Sequence, residues 1–168
     1  MKALYLIRHA ESNWTGPDTD DHDRPLSQRG EREKMVMAKF AKSNFPEIQI
    51  VYSSSATRAL DLAAFIHRHH GAQLQIHDSL YTFDSSRLVK VVLELPDYLN
   101  HVAVIGHNPA VTEVLNQLSN FGREDKVSNF PTAAIAMLEF DCQRWGDIKQ
   151  GMGRLVDFAR PKTGCEND

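Results

Sequence analysis

The sequence predicts an α/β fold: a three-layer sandwich whose mostly parallel central sheet carries helices on both faces and ends in an antiparallel edge hairpin. Three observations predict it. Strand-like and helix-like stretches alternate along the chain, the order that builds a parallel sheet. Two wholly apolar runs, Ala3-Leu-Tyr-Leu-Ile7 and Val102-Ala-Val-Ile105, read as strands buried on both faces. The last two strand-like segments have only a turn between them, which leaves no room for a crossover helix.

The first strand runs to Ile7 and is followed by an acidic, turn-rich loop from Gly16 to Arg24. After Pro25-Leu26, Ser27 is placed to cap a helix that reaches about Asn44. A strand over Ile48 to Ser53 leads into a helix of about Ala56 to His70, with Leu62, Phe65 and Ile66 on one face and Gly71 as its C-terminal stop. A short strand, Leu74 to His77, precedes Leu88, Val91, Val92 and Leu95 at helical spacing before Pro96. The strand ending at Gly106 passes into a helix led by Pro109, with Val111, Val114, Leu115 and Leu118 as its apolar stripe, expected to end near Gly122. Two strands close the chain, Ala134 to Phe140 and Gly153 to Phe158, around a Gln-Arg-Trp-Gly-Asp turn. No repeat or linker interrupts this order, so residues 1–160 read as one domain and 161–168 as a polar tail.

With 42% apolar and 24% charged residues, the 168-residue chain has the composition of an ordinary globular protein. Its net charge of −3 gives no sign of a nucleic-acid-binding surface. The apolar stretch before Arg8 is too short for a secretory signal, and nothing approaches the roughly 20 apolar residues of a membrane span. Cys142 and Cys165 suggest neither a disulfide framework nor a thiolate metal site. These features read as a cytoplasmic protein with no membrane or nucleic-acid partner; no sequence signal assigns an oligomeric state.

The chemistry lies at the strand ends. The first apolar run breaks into Arg8-His9-Ala10-Glu11 and the second into Gly106-His107-Asn108-Pro109. In open α/β sheets the crevice beyond the carboxyl ends of the strands is where ligands bind, so both imidazoles face one place. Arg58 joins them, because Val51-Tyr-Ser-Ser-Ser55 ends a strand and Ala56-Thr57-Arg58 opens a helix whose N-terminus favours phosphate. Two histidines and two arginines point to phosphoryl chemistry. A neutral imidazole can attack phosphorus, and guanidinium groups hold phosphate oxygens in bidentate fashion.

On four stretches the chain resembles the histidine phosphatase superfamily, of phosphoglycerate mutase-like fold, and within it the compact branch of SixA-type phosphohistidine phosphatases. The stretches are Leu6-Ile-Arg-His-Ala10, Asp23-Arg-Pro-Leu-Ser-Gln-Arg-Gly30, Ser53-Ser-Ser-Ala-Thr-Arg58 and Val104-Ile-Gly-His-Asn-Pro109. The resemblance implies that His9 is the nucleophile, that Arg8, His9, Arg58 and His107 hold the phosphoryl group, and that no metal or cofactor is needed. Asp23 and Arg24 belong to the subgroup signature without a chemical role assigned to them.

Two departures from the superfamily pattern matter. Ala10 stands where glycine usually follows the nucleophile, which excludes backbone angles reserved for glycine. A proton-donating carboxylate near residue 80 is also missing, since the chain reads Leu80-Tyr-Thr-Phe-Asp-Ser85. Tyr81 and Thr82 cannot be that group, which leaves Asp84, Glu11 or a residue of the acidic loop as possible donors. A sugar or alkyl leaving group needs a delivered proton. Phosphohistidine does not, because its leaving imidazole has an unperturbed pKa of ~6.5 and can arrive protonated. The expected substrate is therefore a phosphohistidine-bearing protein; small phosphate esters on the same scaffold, or a non-catalytic phospho-ligand module, are the alternatives. The short segment from Leu80 to Val102 offers no cap to retain an intermediate, which argues against a mutase.

Other clusters read more plainly. His67, His69 and His70 sit at a helix C-terminus, where the dipole favours them as solvent-facing groups. Asp18, Asp20, Asp21 and Asp23 lack the glycine and distal glutamate of a calcium loop and read as a solvated acidic loop. Trp14 either lines the mouth of the pocket or packs beside it.

Overall fold

The computed structural model describes residues 1–14 and 16–162. The end of the polar tail, with Cys165, lies outside them. Six strands form one sheet: β1 (Lys2–Arg8), β2 (Ile50–Ser54), β3 (Gln73–His77), β4 (His101–Gly106), β5 (Ile135–Phe140) and β6 (Arg154–Ala159). Their spatial order is β3-β2-β4-β1-β5-β6. β1 lies parallel to β4, and β2 is parallel to both β3 and β4; β5 runs antiparallel to β1 and to β6. The central strands are buried on both faces, which is why they read as unbroken apolar runs, while β3 and β6 at the edges are partly exposed.

Four helices cover the sheet. α1 (Gln28–Asn44) and α2 (Thr57–His70) lie on one face, where Met37, Ala41, Leu62 and Ile66 pack on Tyr5, Ile7, Val51 and Ile105. α3 (Ser85–Leu93) and α4 (Ala110–Leu118) cover the other, with Leu88, Val92, Val114 and Leu115 against Leu4, Leu6, Val104 and Leu138. α1 starts and α2 stops for local reasons. The Ser27 hydroxyl accepts the Gly30 N–H at the start of α1, and Gly71 takes φ +91° where α2 ends.

Two expectations need correcting. α4 stops at Leu118, four residues before Gly122, because Ser119 turns extended and the chain there bonds across to Gly153: Gly153 N–H donates to Leu118 O and Asn120 N–H to Gly153 O. The connection between β5 and β6 is also no simple turn. Its Trp145 is fully buried, with Nε1–H donating to Leu99 O at 2.8 Å, so this segment closes one end of the core. Among the described residues, no helix is long and apolar enough to cross a membrane.

Candidate active site

β1, β2 and β4 are neighbours and end at one edge, with Arg8 in register with Gly106 and Ser53 with Ile105. The residues just past those ends therefore converge. His9 N–H donates to Gly106 O at 3.1 Å, and the His9 and His107 rings stand 5.1 Å apart. Arg58 emerges from the first turn of α2, and together with Arg8, His9 and His107 it lines one cavity of about 380 Å³. The four residues singled out in the sequence are thus assembled by the topology alone.

His9 Nδ1 lies 2.7 Å from the carbonyl of Ala10. A carbonyl can only accept, so Nδ1 carries the proton and the Nε2 lone pair is free. Burial, reinforced by the nearby Arg58, Arg8 and Arg24, pushes the His9 pKa down to about 3 against the pull of that carbonyl. His107 is likewise pushed to about 3 by burial and by its neighbours His9 and Arg58, and its Nε2 meets Ser54 Oγ at 2.7 Å. Both imidazoles are neutral near pH 7. Among the described residues, none hydrogen-bonds the buried Arg8 Nε, Arg58 Nε or His107 Nδ1. Groups of this kind cost stability and are kept at sites where something else engages them.

The depressed histidines set a pH dependence of stability. In the unfolded chain they titrate near ~6.5. Between that value and about 3 the unfolded chain binds protons that the folded one refuses, so stability is full above pH 6.5 and declines as pH falls through this window. The thermal midpoint should drop steadily from pH 7 to pH 4.5 at fixed ionic strength. A midpoint flat over that range would contradict neutral burial of the pair.

Three residues of the site were not anticipated. Asp21, read as part of a solvated loop, lines the cavity and holds Arg58: the Arg58 guanidinium donates to Asp21 O at 2.6 Å and to its carboxylate at 3.0 Å. Tyr81 and Arg24 donate to the same carboxylate at 2.6 and 3.1 Å. Burial alone would raise its pKa, but these three donors hold the carboxyl well below the usual range, so Asp21 is an anion. Arg24 is a third guanidinium on the cavity, and Phe83 an aromatic wall. Trp14 does not line the cavity; it lies 3.9 Å beneath the Arg24 guanidinium and braces it. The signal for Arg24 was present in the Asp23-Arg-Pro stretch, whereas nothing in a single sequence marks a contact between Asp21 and Arg58.

The two candidate proton donors separate. Glu11 lines the cavity, accepting the Ser27 hydroxyl at 2.9 Å with Arg29 3.7 Å away. Asp84 is exposed and does not line it; it caps α3, and hydrogen bonds from the Ser86 hydroxyl and N–H keep its carboxyl below the ordinary value. The C-terminal histidines of α2 are not all solvent-facing. His67 and His70 bond to the carbonyls of Ala72 and Phe45, and His69 stacks on Phe65. Among the described residues no group of three or more His, Cys, Asp or Glu is placed to hold a metal ion. Ala10 needs no glycine geometry, since Ala133 is the one described non-glycine residue with positive φ.

Gly30 earns its place in the Asp23 to Gly30 stretch by close approach. A Cβ there would collide with the Glu11 carbonyl, which also accepts the Ser27 N–H at 3.0 Å. Because backbone cannot yield as a side chain does, Gly30→Ala should cost ~1–3 kcal/mol, read as a lower urea midpoint at unchanged m-value. A midpoint equal to wild type would mean that the helix and the Glu11 segment are not locked together.

A family model, the histidine phosphatase superfamily (branch 1), matches residues 4–88. An uncharacterized protein of Mycobacterium tuberculosis is 30% identical, over 93% of this chain and the whole of its own. Among solved structures, a protein of Agrobacterium tumefaciens provisionally named phosphohistidine phosphatase SixA superposes with a TM-score of 0.81 at 25% identity, covering 95% of this chain and 98% of that one. The protein histidine phosphatase SixA bound to tungstate gives a TM-score of 0.76 at 22% identity over 94% and 96% of the two chains, a likeness of fold.

Proposed function

Because this chain belongs to the histidine phosphatase superfamily, we propose that it is a phosphatase that removes the phosphoryl group from phosphohistidine on a protein, through a covalent phosphohistidine on His9. The observation that carries the reading is the neutral His9, its Nε2 lone pair left free by the Nδ1–Ala10 bond, in a cavity lined by Arg8, Arg24 and Arg58. The His9 Nε2 pair forms a bond to phosphorus while the bond to the substrate nitrogen breaks and its electrons stay with the departing imidazole. Water then attacks phosphorus, the bond to Nε2 breaks, and inorganic phosphate leaves. Charge on the equatorial oxygens is met by Arg8, Arg58 and the His107 N–H; Arg24 adds a further positive group. Those guanidinium groups supply the charge that a metal ion would otherwise bring, and no metal has a part in the proposed reaction.

The substrate choice follows from the carboxylates. Asp21 is ionised and held by three donors, Glu11 is engaged by Ser27, and Asp84 is occupied as a cap away from the cavity. Among the described residues the carboxyls lining the cavity are Asp21 and Glu11, and both are engaged by other donors, so phosphohistidine is favoured over alkyl and sugar esters, which need a delivered proton. The name given to the Agrobacterium protein points the same way. The test is a substrate panel in excess EDTA. A phosphohistidine protein should be turned over with kcat/KM at least ~10²-fold above sugar or alkyl phosphates, with aryl phosphates between. Asp84→Asn should change phosphohistidine turnover little. Sugar phosphates as the better substrates, or Asp84→Asn crippling every class, would replace this reading with a small-ester phosphatase.

A further inference from the structure

Phe83 lines the same cavity as the two histidines, yet half of its surface, 50%, is open to solvent. Its ring lies 5.8 Å from that of His107 and 6.0 Å from that of Tyr81, both at 69°. Its neighbours in the chain are anchored. On one side Thr82 is buried and its hydroxyl accepts the Asp84 N–H at 3.1 Å; on the other Asp84 caps α3. Behind it, the Tyr81 hydroxyl is fixed on Asp21. A half-exposed phenyl ring carried on this anchored segment presents an apolar face to the cavity that also holds Arg8, His9, Arg58 and His107.

From this juxtaposition we infer that Phe83 is a specificity residue, an aromatic platform that receives the flat imidazole of the leaving group. The inference rests on the proposed phosphatase reaction and deepens it. With the phosphoryl group among Arg8, Arg58 and His107 and attacked by His9, the rest of the substrate must extend toward the mouth, where Phe83 stands. A phosphohistidine protonated on its distal ring nitrogen carries positive charge until the phosphorus–nitrogen bond breaks. The electron pair of that bond then returns to the ring, which departs as neutral imidazole with its proton already aboard. A phenyl face beside such a ring attracts it both as a cation and as an aromatic partner. The platform thus selects the protonated form of the substrate, the form that needs no acid from the enzyme.

The experiment compares wild type, Phe83→Ala, Phe83→Leu and Phe83→Tyr on two substrates that need no general acid: phosphohistidine, whose leaving group is a ring, and acetyl phosphate, whose leaving group is not. The ratio of their kcat/KM values should fall ~5- to 30-fold in Phe83→Ala and Phe83→Leu, the range such ring contacts supply, and recover in Phe83→Tyr. Phosphohistidine as the free amino acid and on a protein should lose alike, since the contact is with the ring. An unchanged ratio in Phe83→Ala, or a Phe83→Leu enzyme matching wild type, would overturn the platform. If wild type turns over acetyl phosphate but not phosphohistidine, the substrate reading fails by itself; phenyl phosphate against acetyl phosphate then tests the ring preference, with the same pattern across the variants expected.

Discussion

Replacing His9 with alanine is expected to lower kcat by ~10⁵-fold or more, the scale on which loss of a covalent nucleophile acts. No neighbour can substitute. His107 is neutral too, but its Nε2 is turned to Ser54, and the carboxylates that line the cavity, Asp21 and Glu11, are engaged by Arg58 and by Ser27. The variant should keep its fold, since His9 contributes a ring at the end of β1 and not a core contact. Rapid quenching of wild type with labelled substrate should trap a phosphoryl adduct that is labile in acid and stable in base, absent from His9→Ala. An adduct on serine or aspartate, or residual turnover near wild type, would refute the assignment.

The next largest loss is expected from Arg58→Ala, ~10²- to 10³-fold in kcat/KM, the cost of removing one fixed donor from a developing oxyanion. Arg58 is almost fully buried, and its two terminal nitrogens are committed to Asp21. That commitment holds the guanidinium plane in place before substrate arrives. Arg58→Lys should therefore recover little: a lysine supplies charge but not the planar fork that spans the Asp21 carbonyl and carboxylate. Full activity in Arg58→Lys would show that charge alone matters. Circular dichroism on both variants separates lost chemistry from lost fold.

What the sequence revealed and what it hid follow a physical division. Strand ends, helix caps and apolar stripes are local, so Ser27, Gly71 and the histidines at the ends of β1 and β4 were legible one stretch at a time. The convergence of Arg8, His9, Arg58 and His107 was legible too, because it needs only that three parallel strands be neighbours. The Asp21–Arg58 pair joins residues 37 positions apart through a loop with no periodicity, and an aspartate among four in an acidic stretch looks like solvation. Trp145 misled for a similar reason: Gln-Arg-Trp-Gly-Asp has the composition of a turn, yet its indole fills the end of the core. The end of α4 was overrun because the residue that stops it, Ser119, is held by a strand-like contact with Gly153, which no local signal announces.

β1 carries the nucleophile and sits in the middle of the sheet between β4 and β5. Both partners lie far downstream, the nearer beginning at His101. During synthesis at about 5–20 residues per second, the strand emerges roughly 5–20 s before β4 has been made, and longer before β5. Through that interval a run of five apolar residues has neither neighbour, and the nascent chain depends on transient burial or on chaperones to stay out of aggregates. The same order of events means that a chain broken off before residue 101 holds Arg8, His9 and Arg58 but not the strand that brings them together. A truncated product is thus expected to be inert as well as insoluble, and the site comes into being only as the second half of the sheet is laid beside the first.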